Sequence, residues 1–111
     1  MTEQTPAAKK SRRQLLEEIV AQKPDDAFSR YGLALECERD GDTAAAEENF
    51  RQLVERNPDY IPGFQMYGQF LAREERNEEA RKVLVAGIAA ASRAGNQHAR
   101  SEMEALLSEL S

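Results

Sequence analysis

The sequence predicts an all-α fold in which about six helices stack as antiparallel pairs, and three observations carry that reading. The chain repeats itself: Pro24-Asp25-Asp26 recurs as Pro58-Asp59-Tyr60, Ala46 as Ala80 and Phe50 as Leu84, each at a step of 34 residues. Within each period two amphipathic stretches are separated by turn residues, the pattern of a helix–turn–helix unit. Helix breakers are scarce, since the four prolines and six glycines leave most of the chain free to be helical.

Residues 1–10 are polar and aperiodic and are expected to form a disordered basic tail. Ser11 suits a helix N-cap. Leu15, Leu16, Ile19 and Val20 then form one stripe of a short helix within 11–23, stopped by Pro24. The first repeat, 27–60, opens after the capping pair Asp25-Asp26. Its helix A spans Ala27 to Arg39 with Tyr31, Leu33, Ala34, Leu35 and Cys37 on the apolar face. Gly41-Asp42 breaks it, Asp42 or Thr43 caps the next helix, and Ala46, Phe50, Leu53 and Val54 mark helix B over about 44–56.

The second repeat, 61–94, follows the turn Asn57-Pro58-Asp59, with Pro62 in the first turn of its helix A. Phe64, Tyr67, Gly68 and Leu71 lie on that helix. A glycine there costs roughly 1 kcal/mol relative to alanine, so Gly68 implies a close approach by a neighbouring helix. Asn77 is expected to cap helix B, with Ala80, Val83, Leu84, Ile88 and Ala91 inward and Gly95 as the stop. A last helix within 96–110 bears Ala99, Met103, Leu106, Leu107 and Leu110. Its Glu102, Glu104 and Glu109 face water, so it reads as a polar cap.

The net charge of −5 is unevenly spread, because residues 1–13 carry +3 and the remainder −8. An acidic body disfavours nucleic acid, which needs concentrated cations. The basic run is read as a solvated tail, in preference to a contact for RNA or an acidic partner. Cys37 and His98 are the only residues of their kinds, so no intrachain disulfide forms and no histidine-based metal site or cofactor is expected. Cys37 reads as a small buried hydrophobe. A Cys37–His98 nucleophilic pair is disfavoured, with His98 out on the last helix. The pairs Glu47-Glu48, Glu74-Glu75 and Glu78-Glu79 sit on exposed faces, where general acid–base chemistry would need opposed carboxylates in a pocket. No apolar run approaches the ~20 residues of a membrane span, and no secretory signal is evident. A cytoplasmic protein without a membrane partner is the expectation.

These residues resemble the tetratricopeptide repeat (TPR) family in its small bacterial-type form. In the second repeat Phe64, Tyr67-Gly68, Leu71, Ala80 and Leu84 match the family pattern, as do Leu33-Ala34, Ala46, Phe50 and Pro58 in the first. Arg30, Cys37, Leu53 and Gly87 depart from it. The resemblance covers roughly 27–91, with Leu16, Ile19, Val20 and Pro24 similar to the end of a preceding half-repeat. It implies a right-handed superhelix and a non-catalytic module that binds a protein or peptide in a concave groove lined by the A helices.

On that geometry the groove carries Phe28, Tyr31, Leu35, Glu38 and Arg39 from the first repeat, and Gln65, Gln69, Ala72 and Arg73 from the second. Tyr31 and Leu35, one turn apart, form an apolar patch beside two amides, unless the first helix covers Phe28, Tyr31 and Leu35. Family members that clamp a C-terminal carboxylate place Lys and Asn where Tyr31 and Leu35 stand here, which argues against that specificity. Arg39 and Arg73 are either a draw for an acidic peptide or partners of nearby glutamates. Self-association through the groove or an open end of so short a stack is the alternative function.

Overall fold

A computed structural model describes residues 9–110, so residues 1–8 of the expected tail lie outside the described part. Six helices follow one another: α1 (Arg12–Gln22), α2 (Ala27–Arg39), α3 (Thr43–Arg56), α4 (Ile61–Arg73), α5 (Asn77–Ala94) and α6 (Gln97–Glu109). No strand occurs among the described residues. Each helix packs on the next in the chain, and α6 also touches α4. The result is an elongated stack of 64 × 28 × 19 Å.

Side-chain caps start four of the helices. The Ser11 hydroxyl accepts from the Gln14 N–H at 3.0 Å while the Gln14 side chain accepts from the Ser11 N–H at 2.8 Å. Asp26, Asp42 and Asn96 accept in the same way from Ser29, Ala45 and Ala99, each satisfying an N–H that has no partner inside its helix. The expectation for α5 is corrected. Asn77 is its first helical residue, and the cap position is held by Arg76, whose side chain makes no capping bond.

The turns after α2, α4 and α5 share one closure. Gly41, Glu75 and Gly95 sit in the left-handed region at φ 77°, 61° and 71°, and the next N–H in each case bonds back to Cys37, Leu71 or Ala91. Glycine adopts this conformation without cost. Glu75, one period after Gly41, adopts it with a side chain.

The core is continuous along the stack. Phe50 lies fully buried against Tyr67, stacked at 5.9 Å, and Phe70 at 5.4 Å. Around them pack Val20, Leu33, Ala34, Cys37, Ala46, Leu71 and Ala80. A second cluster joins Ile61, Phe64, Leu84, Ala90, Ala91, Ala99 and Met103, and Val54, Val83 and Leu110 touch both. Two glycines permit the helix crossings. A Cβ on Gly68 would lie 2.5 Å from Leu84 Cδ2, and one on Gly87 would lie 2.6 Å from both Met103 Sδ and Phe64 Cβ. The close approach expected at Gly68 is therefore the α4–α5 crossing.

Arg30 takes the place that Phe64 holds one period later, and it is buried. Its guanidinium donates to Asn49 Oδ1 at 3.1 Å and to the Pro24 carbonyl at 3.2 Å. Burial pushes its pKa below the usual arginine value.

Basic residues next to and within α1 form ion pairs. Lys10 pairs with Glu18 and Arg12 with Glu36. Arg13 meets Glu17, Asp40 and Asp42. Arg12 and Arg13 thereby staple α1 to the α2–α3 unit, which leaves less positive charge open to a polyanion.

Candidate functional site

The site is built from the A-type helices α2 and α4, and from α6. Their spacing along the stack puts residues 34 apart in register, so Tyr31 aligns with Gln65, Leu35 with Gln69 and Glu38 with Ala72. Two bonds cross between these helices: Arg73 of α4 donates to Glu38 of α2, and the Gln65 amide of α4 donates to Glu102 Oε1 of α6 at 2.8 Å.

A cleft of about 560 Å³ opens between α4 and α6, lined by Gln65, Gln69, Ala72, Arg73, Glu102, Ala105, Leu106 and Glu109. Its size suits a small-molecule or side-chain guest. The α4 half consists of residues read as groove-lining from the sequence. The α6 half comes from the last helix, whose exposed glutamates the sequence assigns to a polar cap: Ala105 and Leu106 are its apolar members, and Glu102 and Glu109 its carboxylates.

The α2 part lies apart from this cleft. Phe28 is 74% exposed, so α1 does not cover it. The packing of α1 instead uses Leu16, at the contact beside Gly32, and Val20. Tyr31 is half-buried, its ring edge-on to Tyr60 at 5.8 Å, and Leu35 packs half-buried against the core. Tyr60, in the turn before α4, props up Tyr31 and was not singled out from the sequence. Arg39 is drawn to Glu36, which also takes Arg12 of α1. The two arginines thus pair with nearby glutamates.

The other titratable groups are accounted for structurally. Cys37 is buried and its thiol pKa is pushed up by that burial, which keeps it protonated and unreactive. His98 is exposed and pairs with Glu102 at 3.3 Å on its own helix. Glu47 and Glu79 both hold Arg76, Glu48 holds Arg51 and Glu78 holds Arg81. Among the described residues no group of three His, Cys, Asp or Glu side chains is placed to hold a metal. No helix among them is long and apolar enough to cross a membrane.

Comparison with known proteins accords with this architecture. No family model matches the chain. A TPR repeat-containing protein of Pseudomonas aeruginosa is 32% identical over 97 residues, which span 86% of this chain and 90% of that protein. The solution structure of a tetratricopeptide repeat domain protein from Salinibacter ruber aligns with TM-score 0.72 at 32% identity, over 76% of this chain and 85% of that one. A crystal structure of a tetratricopeptide repeat domain protein from the same organism gives 0.69 at 32%, over 74% and 92%. A Bordetella parapertussis protein, at 24% identity, shares the fold with TM-score 0.72 over 89% of this chain and 86% of its own. With its paired helices, small-residue crossings and 34-residue period, this chain belongs to the tetratricopeptide repeat family, whose members serve in general as helical-repeat protein-interaction modules.

Proposed function

We propose that this chain is a non-catalytic, cytoplasmic binding module that holds a segment of a partner protein in its concave groove. The observation that carries the reading is the cleft between α4 and α6; apart from it, on α2, Phe28 is left exposed. An exposed aromatic ring and an apolar-floored cleft with amides at its wall are what a peptide ligand uses for anchorage and for pairing its backbone. The titratable groups near the groove are tied into ion pairs or singly placed, with no nucleophile–base arrangement among them.

Affinity capture from the source cell, comparing the native chain with a Tyr31→Ala/Gln69→Ala variant, tests this. Both proteins must first show equal helicity and melting. A partner held by the native chain and lost by the variant supports the groove. A partner held equally by both moves the site elsewhere and sinks the proposal.

Self-association is favoured by a separate observation. Leu15 and Ile19, one turn apart on α1, are 49% and 41% exposed at an open end of the stack. Light scattering across a concentration series decides it, since a concentration-independent monomer removes this reading.

A further inference from the structure

The groove's charge and hydrogen-bonding capacity narrow the class of ligand, on the basis of the binding reading above. The cleft lining holds one cation, Arg73, against the carboxylates Glu102 and Glu109. Arg73 is already spent on Glu38. Glu102 is shared between the Gln65 amide and the exposed His98. Among the described residues Glu109 has no ion-pair partner and the Gln69 amide makes no hydrogen bond. Between the two rim carboxylates lie Ala72, Ala105 and Leu106, small or half-buried apolar groups that leave room for a short apolar side chain.

We infer that the cleft between α4 and α6 binds an extended, cationic peptide segment, with a small apolar side chain on the Ala72–Ala105–Leu106 floor and lysine or arginine side chains at Glu102 and Glu109. An extended segment rather than a helix is selected because its backbone N–H and C=O groups need partners. The free Gln69 amide offers both a donor and an acceptor. A helix would satisfy its own backbone and leave that amide idle. Glu102 and Glu109 are two turns apart on α6, roughly 10 Å at 1.5 Å per residue, a span that two flexible basic side chains of one short segment bridge. The rest of the molecule reinforces the choice. The chain as a whole carries −5, and that net field favours the approach of cations over that of anions. An acidic ligand would have to displace Glu38 from Arg73 and face Glu109 unpaired.

The test uses three capped nine-residue peptides on one alanine–leucine–glycine framework, in which the same three positions are lysine, glutamine or glutamate. Binding to the full chain is followed by titration calorimetry at low and moderate salt. The lysine peptide is expected to bind about tenfold tighter than the glutamate peptide and to lose most of that advantage as salt rises. Glu109→Gln should weaken it by about threefold, and Ala105→Tyr, a neutral filling of the cleft, should abolish the binding of all three. Both substitutions are at exposed positions, and circular dichroism confirms the fold. Equal affinity for the three peptides, or preference for the glutamate peptide, with loss on Ala105→Tyr, overturns the cationic assignment while leaving the groove as the site. Absence of binding by any peptide, or binding indifferent to Ala105→Tyr, overturns the groove reading itself. A doubled mass by light scattering that Ala105→Tyr restores to monomer puts a second copy of the chain in the cleft and overturns the assignment as well.

Discussion

Arg13 donates to Asp42 at 2.9 Å, and one period later at both ends the same bridge is made with its charges exchanged, by Arg76 donating to Glu47 at 2.6 Å. In each case a residue on one B-type helix reaches the turn of the following unit, across 29 residues of chain. Sequence periodicity hides the relationship, because arginine aligns with glutamate and aspartate with arginine. The exchanged polarity favours the native order of the stack. If α1 met the α4–α5 turn, Arg13 would face Arg76, like charge against like.

Charge reversal at the second bridge is therefore expected to be tolerated only as a pair. Glu47→Arg alone and Arg76→Glu alone should each lower the melting temperature, and the double substitution should recover most of the loss by copying the polarity of Arg13–Asp42. Thermal melts of the four proteins measure the coupling. A double variant that melts no higher than its worse parent would show that the bridge has no energetic meaning.

The same bridges predict the acid limb of stability. Arg13 holds the Asp42 carboxyl, and Arg76 those of Glu47 and Glu79, below their usual pKa. Their folded pKa values are depressed, so as pH falls through the ordinary carboxylate range near ~4 the unfolded chain takes up protons first. Stability should be full above that range and decline through it and below. Melting temperature against pH is the measurement. Arg76→Gln should flatten the acid limb, and an unchanged slope in that variant would refute this cause.

Glu75→Gly should stabilise the protein. Glu75 pays for a left-handed turn that Gly41 and Gly95 make freely, at about 1–2 kcal/mol for a non-glycine residue. Part of that returns as the greater flexibility of glycine in the unfolded chain, about 0.5–1 kcal/mol. A net gain of several tenths of a kcal/mol, seen as a melting temperature raised by a few degrees, is expected. A lower melting temperature would mean that the Glu75 side chain contributes something its exposed position does not show.

At Gly68 the direction reverses. Alanine is the better helix former by roughly 1 kcal/mol, yet its methyl would lie 2.5 Å from Leu84 Cδ2 in a fully buried crossing. Overpacking of that kind costs about 1–3 kcal/mol, so Gly68→Ala should lower the urea midpoint. A raised midpoint would show that Leu84 moves aside without strain.

The α6 half of the groove shows why part of the site escaped the sequence. A step of 34 from Gln65 and Gln69 leads to Ala99 and Met103, which are buried in the second core cluster. The residue that meets Gln65 is Glu102, 37 positions on. The offset arises because α5 has 18 residues where α3 has 14. The signal was present: Ser92 stands where the period calls for proline, so the helix runs on and the last helix arrives shifted by about one turn. Tyr60 escaped for another reason. It lies in a turn, and only the packing of α2 on the α3–α4 connection brings its ring against Tyr31.

Taken by itself, the sequence determined the helix pairs, their turns, the core stripes and the tight crossing at Gly68, since these depend on contacts local along the chain or repeated at a constant step. The tertiary structure alone decided which face of α6 borders the groove, that Arg73 and Arg39 are held by glutamates, that Arg13 staples two units, and that the cleft margin carries more carboxylates than cations. Those features join side chains from different helices, and small differences in helix length and rotation set which of them meet.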